Sequence, residues 1–212
     1  MKSKKRLLRE SRLYLILDKK TLGRRSLPAV TGKLKNSGFG VLQLRDKASS
    51  KIKVLKEAFL LSRLLAKSKT LFIINDHPDI AAICGADGVH LGQSDYSIRM
   101  ARRMLGNNMI IGVSCHSFKQ ALQAQKNGAD YIGIGPVFST PTKPEYKPIG
   151  LKELGKLRGR IRIPYFAIGN INKSNLESLL AIGAKRAAFC RAILKSKNPA
   201  RETKELKELI NK

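Results

Sequence analysis

Eight short apolar segments recur along the chain at intervals that leave room for one helix between each pair. They are Leu13–Leu17, Val41–Leu44, Leu71–Ile74, Gly88–Leu91, Met109–Val113, Tyr131–Ile134, Pro164–Ile168 and Ala187–Cys190. Most lack polar alternation, which is the pattern of strands buried on both faces of a parallel sheet. Between them run helical spacings: Val54, Ala58, Leu61 and Leu65 form one stripe, and Leu176, Leu179, Leu180 and Gly183 another. Gly-Ala-Asp at 85–87 and 128–130, echoed by Gly-Ala-Lys at 183–185, each ushers in a new apolar segment. Eight strands alternating with helices predict an α/β chain forming a single-domain (β/α)8 TIM barrel over residues 13–212. A doubly wound open sheet is the alternative on pattern alone. Residues 1–12 stand apart as a basic N-terminal tail.

Helix ends are also legible. Ser117-x-x-Gln120 and Ser174-x-x-Glu177 have the spacing of capping boxes, in which a hydroxyl and the side chain three residues on satisfy orphan backbone donors. Gly128 and Gly183 stand where a left-handed residue would stop each helix. The longest loop expected, Phe138–Gly150, carries three prolines and follows a strand, so it is the place to look for a lid.

Composition narrows the class. The chain has 42 Lys+Arg against 15 Asp+Glu, a net charge of +27, yet 42% hydrophobic content argues against a disordered polycation. Lys2, Lys4, Lys5, Arg6, Arg9 and Arg12 crowd the start, but basic residues are spread throughout. Aromatics make up 6%, tryptophan is absent, and no nucleic-acid-binding motif is present. The charge reads as a solvated surface suited to small anionic ligands, with no specific nucleic-acid partner. No apolar run reaches the length of a membrane helix, and Leu13–Leu17 is too short for a secretory core. Three widely spaced cysteines fit a reducing compartment, so the expected location is cytoplasmic.

In a (β/α)8 barrel the reactive residues sit at the C-terminal strand ends. Here those ends read Gln43-Leu44-Arg45-Asp46-Lys47, Asn75-Asp76, His90 through Asp95, Ser114-Cys115-His116-Ser117, Gly135 through Lys143, Gly169-Asn170 and Cys190-Arg191. Arg45, Lys47 and Lys143 are cationic donors, and arginine in particular grips phosphate oxygens in bidentate fashion. Asp76 and Asp95 are two carboxylates on nearby strand ends. Mg²⁺ takes one or two carboxylates, waters and phosphate oxygens, so this set suggests a diphosphate–magnesium complex. The structural alternative has Asp76 capping a helix and Asp95 pairing with Arg99. Loops after strands seven and eight often bind phosphate, and Gly169 permits close backbone approach there. Two anionic substrates, or one long one, would fill such a site. His90 and His116 read as hydrogen-bonded structure, Cys115 and Cys190 as buried small residues. His77, beside Asp76, either positions that carboxylate or faces solvent.

The ordered set Gln43–Lys47, Ile74–Asp76, Asp87–Gln93 with Asp95, Gly112–Ser114 and Gly135–Lys143 resembles the thiamine phosphate synthase family, over about Leu13 to Leu194. The resemblance implies a (β/α)8 barrel that joins 4-amino-2-methyl-5-(diphosphooxymethyl)pyrimidine to a thiazole phosphate with release of diphosphate. It implies that Gln43, Arg45, Lys47, Asn75 and Lys143 hold the pyrimidine diphosphate, Asp76 and Asp95 hold Mg²⁺, and Ser114 contacts the pyrimidine. Thr140 and Thr142 would meet the thiazole phosphate, together with Asn170, Cys190 and Arg191. Arg45, Lys47, Lys143 and Ser114 are thus the expected catalytic group. Two positions depart from the family pattern: Gly169-Asn170 replaces Gly-Gly, and Cys190-Arg191 replaces a Val/Ile-Ser pair. The rival within the superfamily is a thiazole tautomerase, which loses much of the diphosphate and metal set. This chain keeps that set, and has Pro136 where that branch places a histidine. A basic nucleic-acid-binding barrel is the rival from another class.

Overall fold

The structure is a computed structural model that describes residues 3–141 and 145–212. Eight parallel strands close into a barrel in sequence order: β1 (Leu13–Asp18), β2 (Val41–Arg45), β3 (Leu71–Asn75), β4 (Gly88–Leu91), β5 (Ile110–Cys115), β6 (Tyr131–Ile134), β7 (Tyr165–Ala167) and β8 (Ala187–Phe189). β1 pairs with both β2 and β8, which shuts the cylinder. The open-sheet alternative is thereby excluded.

Helices cover the outside. The first are α1 (Lys4–Glu10), α2 (Lys19–Leu22), α3 (Leu27–Leu34), α4 (Lys51–Leu65), α5 (Pro78–Ile83) and α6 (Ile98–Leu105). They are followed by α7 (Phe118–Lys126), α8 (Gly150–Gly155), α9 (Lys173–Ala181), α10 (Arg191–Leu194) and α11 (Pro199–Asn211). None of them is long and apolar enough to cross a membrane.

The unbroken apolar runs have a direct cause. Along β1, Leu13, Leu15 and Leu17 face the helix layer, while Tyr14 and Ile16 face the barrel interior, and all five are buried. Each strand therefore feeds two cores. The outer one receives Val54, Ala58, Leu61 and Leu65, the stripe read from α4. The inner one holds Tyr14, Tyr131 and Phe166, whose rings meet edge-on or tilted at 5.1–5.8 Å. Burying one such side chain contributes about 1.5–3 kcal/mol, so both layers are needed to hold the strands.

The basic segment 1–12, set apart above as a tail, carries α1. Ser3 caps this helix by accepting from the Arg6 N–H, and Leu8 is 1% exposed, packed into the inner core from below. Lys4 and Lys5 reach Asp87 and Asp130 at 3.0 and 2.9 Å. The helix closes the end of the barrel opposite the strand C-termini.

Helix caps differ in detail from expectation. Ser117 does accept from the Gln120 N–H, but the Gln120 side chain reaches the His116 N–H rather than that of Ser117. α9 begins earlier than the Ser174 reading: Asn172 is the cap, in a reciprocal box with Asn175. An asparagine carbonyl two residues upstream captured the Ser174 N–H first. Gly128 and Gly183 have φ of 87° and 84°, the left-handed stops anticipated.

Candidate active site

Strand register brings the polar ends together. Asp18 pairs in register with Arg45, and Asn75 with His90. The Arg45 guanidinium donates to the Asp18 carboxylate, which is 2% exposed and also accepts from the Thr21 N–H at 2.7 Å, capping α2. Arg45 is therefore held in place by a buried partner that sequence reading passed over as the mere end of an apolar run.

A second group sits over β2–β4. Lys47 Nζ lies 2.7 Å from Asp76 Oδ2, and the Asp76 side chain is hydrogen-bonded to that of Asp95. Asp95 accepts from the Gly92 N–H at 2.6 Å. The alternative in which Asp76 caps a helix is not what the structure shows, because His77 occupies the cap position of α5. Asp76 takes φ +65°, which an aspartate tolerates better than most residues, and its N–H donates to the His90 carbonyl at 2.9 Å. Burial raises the Asp76 carboxyl above the ordinary carboxylate range; the neighbouring Asp95 adds to this and Lys47 opposes it. Two oxygen-rich side chains are thus pressed together at a cost. Asn75, 9% exposed, stands beside them.

A cavity of about 770 Å³, counting its open mouth, lies over β5–β8 and β1. Arg45, Ser114, Thr140, Asn170, Cys190 and Arg191 all line it, with Ile16, Ile168 and Ala188 as an apolar floor. Ser114 Oγ is 2.9 Å from His90 Nε2, and its carbonyl accepts from Gln93 Nε2 at 2.6 Å. Gly133 matters here, since a Cβ on it would come within 3.3 Å of His90 Cε1. Asn170 has φ +49° and Gly169 φ +113°, so the Gly-Gly backbone is kept by asparagine in the second position. A Cβ on Gly169 would stand 2.6 Å from Pro136 Cα.

The residues expected at one barrel mouth fall into two groups, a carboxylate pair with Lys47 and a cavity that Arg45 helps to line. Gln43 is the exception. It is 2% exposed and donates to Tyr14 Oη at 3.0 Å, beneath the mouth rather than lining it. Thr142 and Lys143 lie outside the described residues. His116 Nδ1 donates to the Gly135 carbonyl at 2.6 Å, and its ring stacks on Tyr146 at 4.1 Å, tying the long loop to the mouth. Burial pushes the Cys190 thiol up to about 11 and Cys115 to about 12, so neither is a poised nucleophile.

Fold and site together define a closed (β/α)8 barrel with its polar groups gathered at the C-terminal mouth. The chain belongs to the thiamine monophosphate synthase family, whose profile matches residues 13–193. It is 38% identical to the thiamine-phosphate synthase of Lawsonia intracellularis over 199 residues, 93% of this chain and 92% of that protein. It is 44% identical to that of Gloeobacter violaceus over 175 residues, 82% of this chain and 51% of that protein. The chain spans about half the length of the Gloeobacter relative. The solved structure of thiamine phosphate pyrophosphorylase from Pyrococcus furiosus superposes with a TM-score of 0.87 at 32% identity, covering 97% of this chain and 98% of that one.

Proposed function

We propose that this protein couples 4-amino-2-methyl-5-(diphosphooxymethyl)pyrimidine to 4-methyl-5-(2-phosphooxyethyl)thiazole, giving thiamine phosphate and diphosphate. The observation that carries this reading is a Lys47–Asp76–Asp95 cluster and an Arg45-lined cavity, both built from C-terminal strand ends of one barrel, in a chain of this family. The donor set suits Mg²⁺: two hard carboxylates held together against their own repulsion, with no third His, Cys, Asp or Glu joining them as a ligand group among the described residues. Asp76 and Asp95 would hold the ion, and when bound it supplies neutralising charge for the departing diphosphate.

The remaining work falls to the chain. Arg45, oriented by Asp18, addresses diphosphate oxygens from one side and Lys47 from the other. Lys143 and Asn75 complete the pyrimidine diphosphate set and Ser114 contacts the pyrimidine, while Gln43 stays beneath the mouth on Tyr14. The methylene carbon–oxygen bond breaks with its electron pair leaving on diphosphate, while the ring amino group donates into the cationic carbon. The thiazole nitrogen then forms the new bond with its own lone pair, so no protein nucleophile is required. The apolar floor formed by Ile16, Ile168 and Ala188 keeps water from the cation. Thiazole phosphate is assigned to Thr140, Thr142, Asn170, Cys190 and Arg191. Catalysis is then orientation and electrostatics.

Incubating the protein with both substrates and Mg²⁺ should give equal amounts of thiamine phosphate and diphosphate, and chelation should stop both. Diphosphate release absent under those conditions, or unaffected by chelation, would overturn the assignment.

A further inference from the structure

Across the barrel interior, beneath the cavity, five side chains from five strands form one continuous hydrogen-bonded line. Gln43 Nε2 donates to Tyr14 Oη at 3.0 Å. Tyr14 Oη is 2.8 Å from Tyr131 Oη. Tyr131 Oη is 3.0 Å from His90 Nδ1, and His90 Nε2 is 2.9 Å from Ser114 Oγ. Tyr14, Gln43, Tyr131 and His90 are all buried, so their polar hydrogens need acceptors within the protein. The site is built for this arrangement: a Cβ on Gly112 would lie 2.1 Å from Tyr131 Cζ, so only glycine admits the phenol there.

Counting protons gives the line a direction. Tyr14 accepts from Gln43, and its own hydrogen then has Tyr131 as acceptor. Tyr131 in turn donates to His90 Nδ1. That leaves the imidazole neutral with its proton on Nε2, donating to Ser114 Oγ. The opposite direction would strand the Tyr14 hydrogen, because Gln43 offers it only an N–H. A doubly protonated His90 would strand it as well. Burial keeps both phenols in the protonated form that this count requires.

We propose that Tyr14, Tyr131 and His90 are positioning residues that polarise Ser114, so that its hydroxyl accepts from His90 and presents its hydrogen to an acceptor atom on the pyrimidine substrate. The effect is orientation. The substrate atom that takes the Ser114 hydrogen is an acceptor, such as a ring nitrogen or a phosphate oxygen, and the His90 N–H keeps that hydrogen turned away from the imidazole and toward the cavity. This rests on the proposed placement of Ser114 against the pyrimidine substrate.

The chain has three histidines, so a long-range ¹H–¹⁵N spectrum of the substrate-free protein resolves His90 by elimination in His77→Gln and His116→Gln. The expected His90 signature is a single neutral tautomer protonated at Nε2. In Tyr131→Phe that signature should give way to a mixture of tautomers. Its kcat/KM for the pyrimidine substrate should fall about tenfold while KM for the thiazole phosphate stays within twofold. Tyr14→Phe, one link further away, provides the same comparison if Tyr131→Phe does not fold. A His90 protonated at Nδ1 in the unaltered protein overturns the proposal, as does a Tyr131→Phe or Tyr14→Phe protein with both tautomer and pyrimidine kinetics unchanged. Because the spectrum needs no substrate, loss of the coupling reaction with the Nε2 tautomer intact would count against the proposed reaction and not against the line.

Discussion

Asp76 carries two burdens at once, a left-handed backbone and a carboxylate pressed against another carboxylate. Both point to asparagine, not alanine, as its informative replacement. Asparagine keeps φ +65° accessible and removes the like charge. The sign follows from the raised carboxyl: ionising it costs the folded state stability once pH passes the ordinary carboxylate value, and the cost is complete above the folded value. At pH 7 without divalent ions, Asp76→Asn should therefore melt no lower than the parent, and its turnover should fall by orders of magnitude. A clear drop in melting temperature would show that the Lys47 pair outweighs the repulsion. The cysteines give a second check. With Cys190 at about 11, its thiolate fraction at pH 8 is roughly one in a thousand, so alkylation should be slow in the fold and rapid in urea. Fast alkylation of the native protein would mean that the thiol is not sheltered as the structure has it.

At the scale of elements, the loop after β7 separates backbone requirement from side-chain identity. Gly169→Ala forces a Cβ against Pro136 Cα and a side chain into φ +113°, and should cost more than about 2 kcal/mol in urea unfolding. Asn170→Gly keeps the same angles and should stay within about 1 kcal/mol, with thiazole-phosphate affinity changed less than tenfold. Equal effects at both positions would mean that the asparagine side chain matters as much as the turn. Strand positions were legible because burial on both faces writes unbroken apolar runs, and β4 and β6 match their readings end to end. The glycine stops were legible because left-handed geometry has few alternatives. Asp18 was not, because its role depends on being in register with Arg45, 27 residues away. Nor was the line from Gln43 to Ser114, whose central contact joins Tyr14 and Tyr131 across 117 residues. Such partners are set by closure of the barrel, which no local pattern records.

For the whole molecule, an excess of positive charge favours a loose, self-repelling N-terminus, yet Lys4–Glu10 form a helix docked at the base of the barrel. Asp87 and Asp130 stand at the base of β4 and β6, where they accept from the Phe72 and Ile111 N–H groups at 2.8 and 2.9 Å. Lys4 and Lys5 of α1 neutralise them from outside. These lysines are about half exposed, and pairs of that kind contribute at most about 1 kcal/mol each, less in salt. The anchor must then be apolar. Leu8 enters the inner core at the end of the barrel away from the mouth, where loss of its side chain leaves a cavity beneath the tyrosines. Leu8→Ala should lower unfolding free energy by about 2–4 kcal/mol. Lys4→Ala and Lys5→Ala together should cost less, and less again at high salt. Turnover at saturating substrate should be nearly unchanged in all three, since the strand C-termini lie at the other end. Were α1 merely an adhering basic segment, the order would reverse: the lysine changes would weaken the fold and Leu8→Ala would be silent.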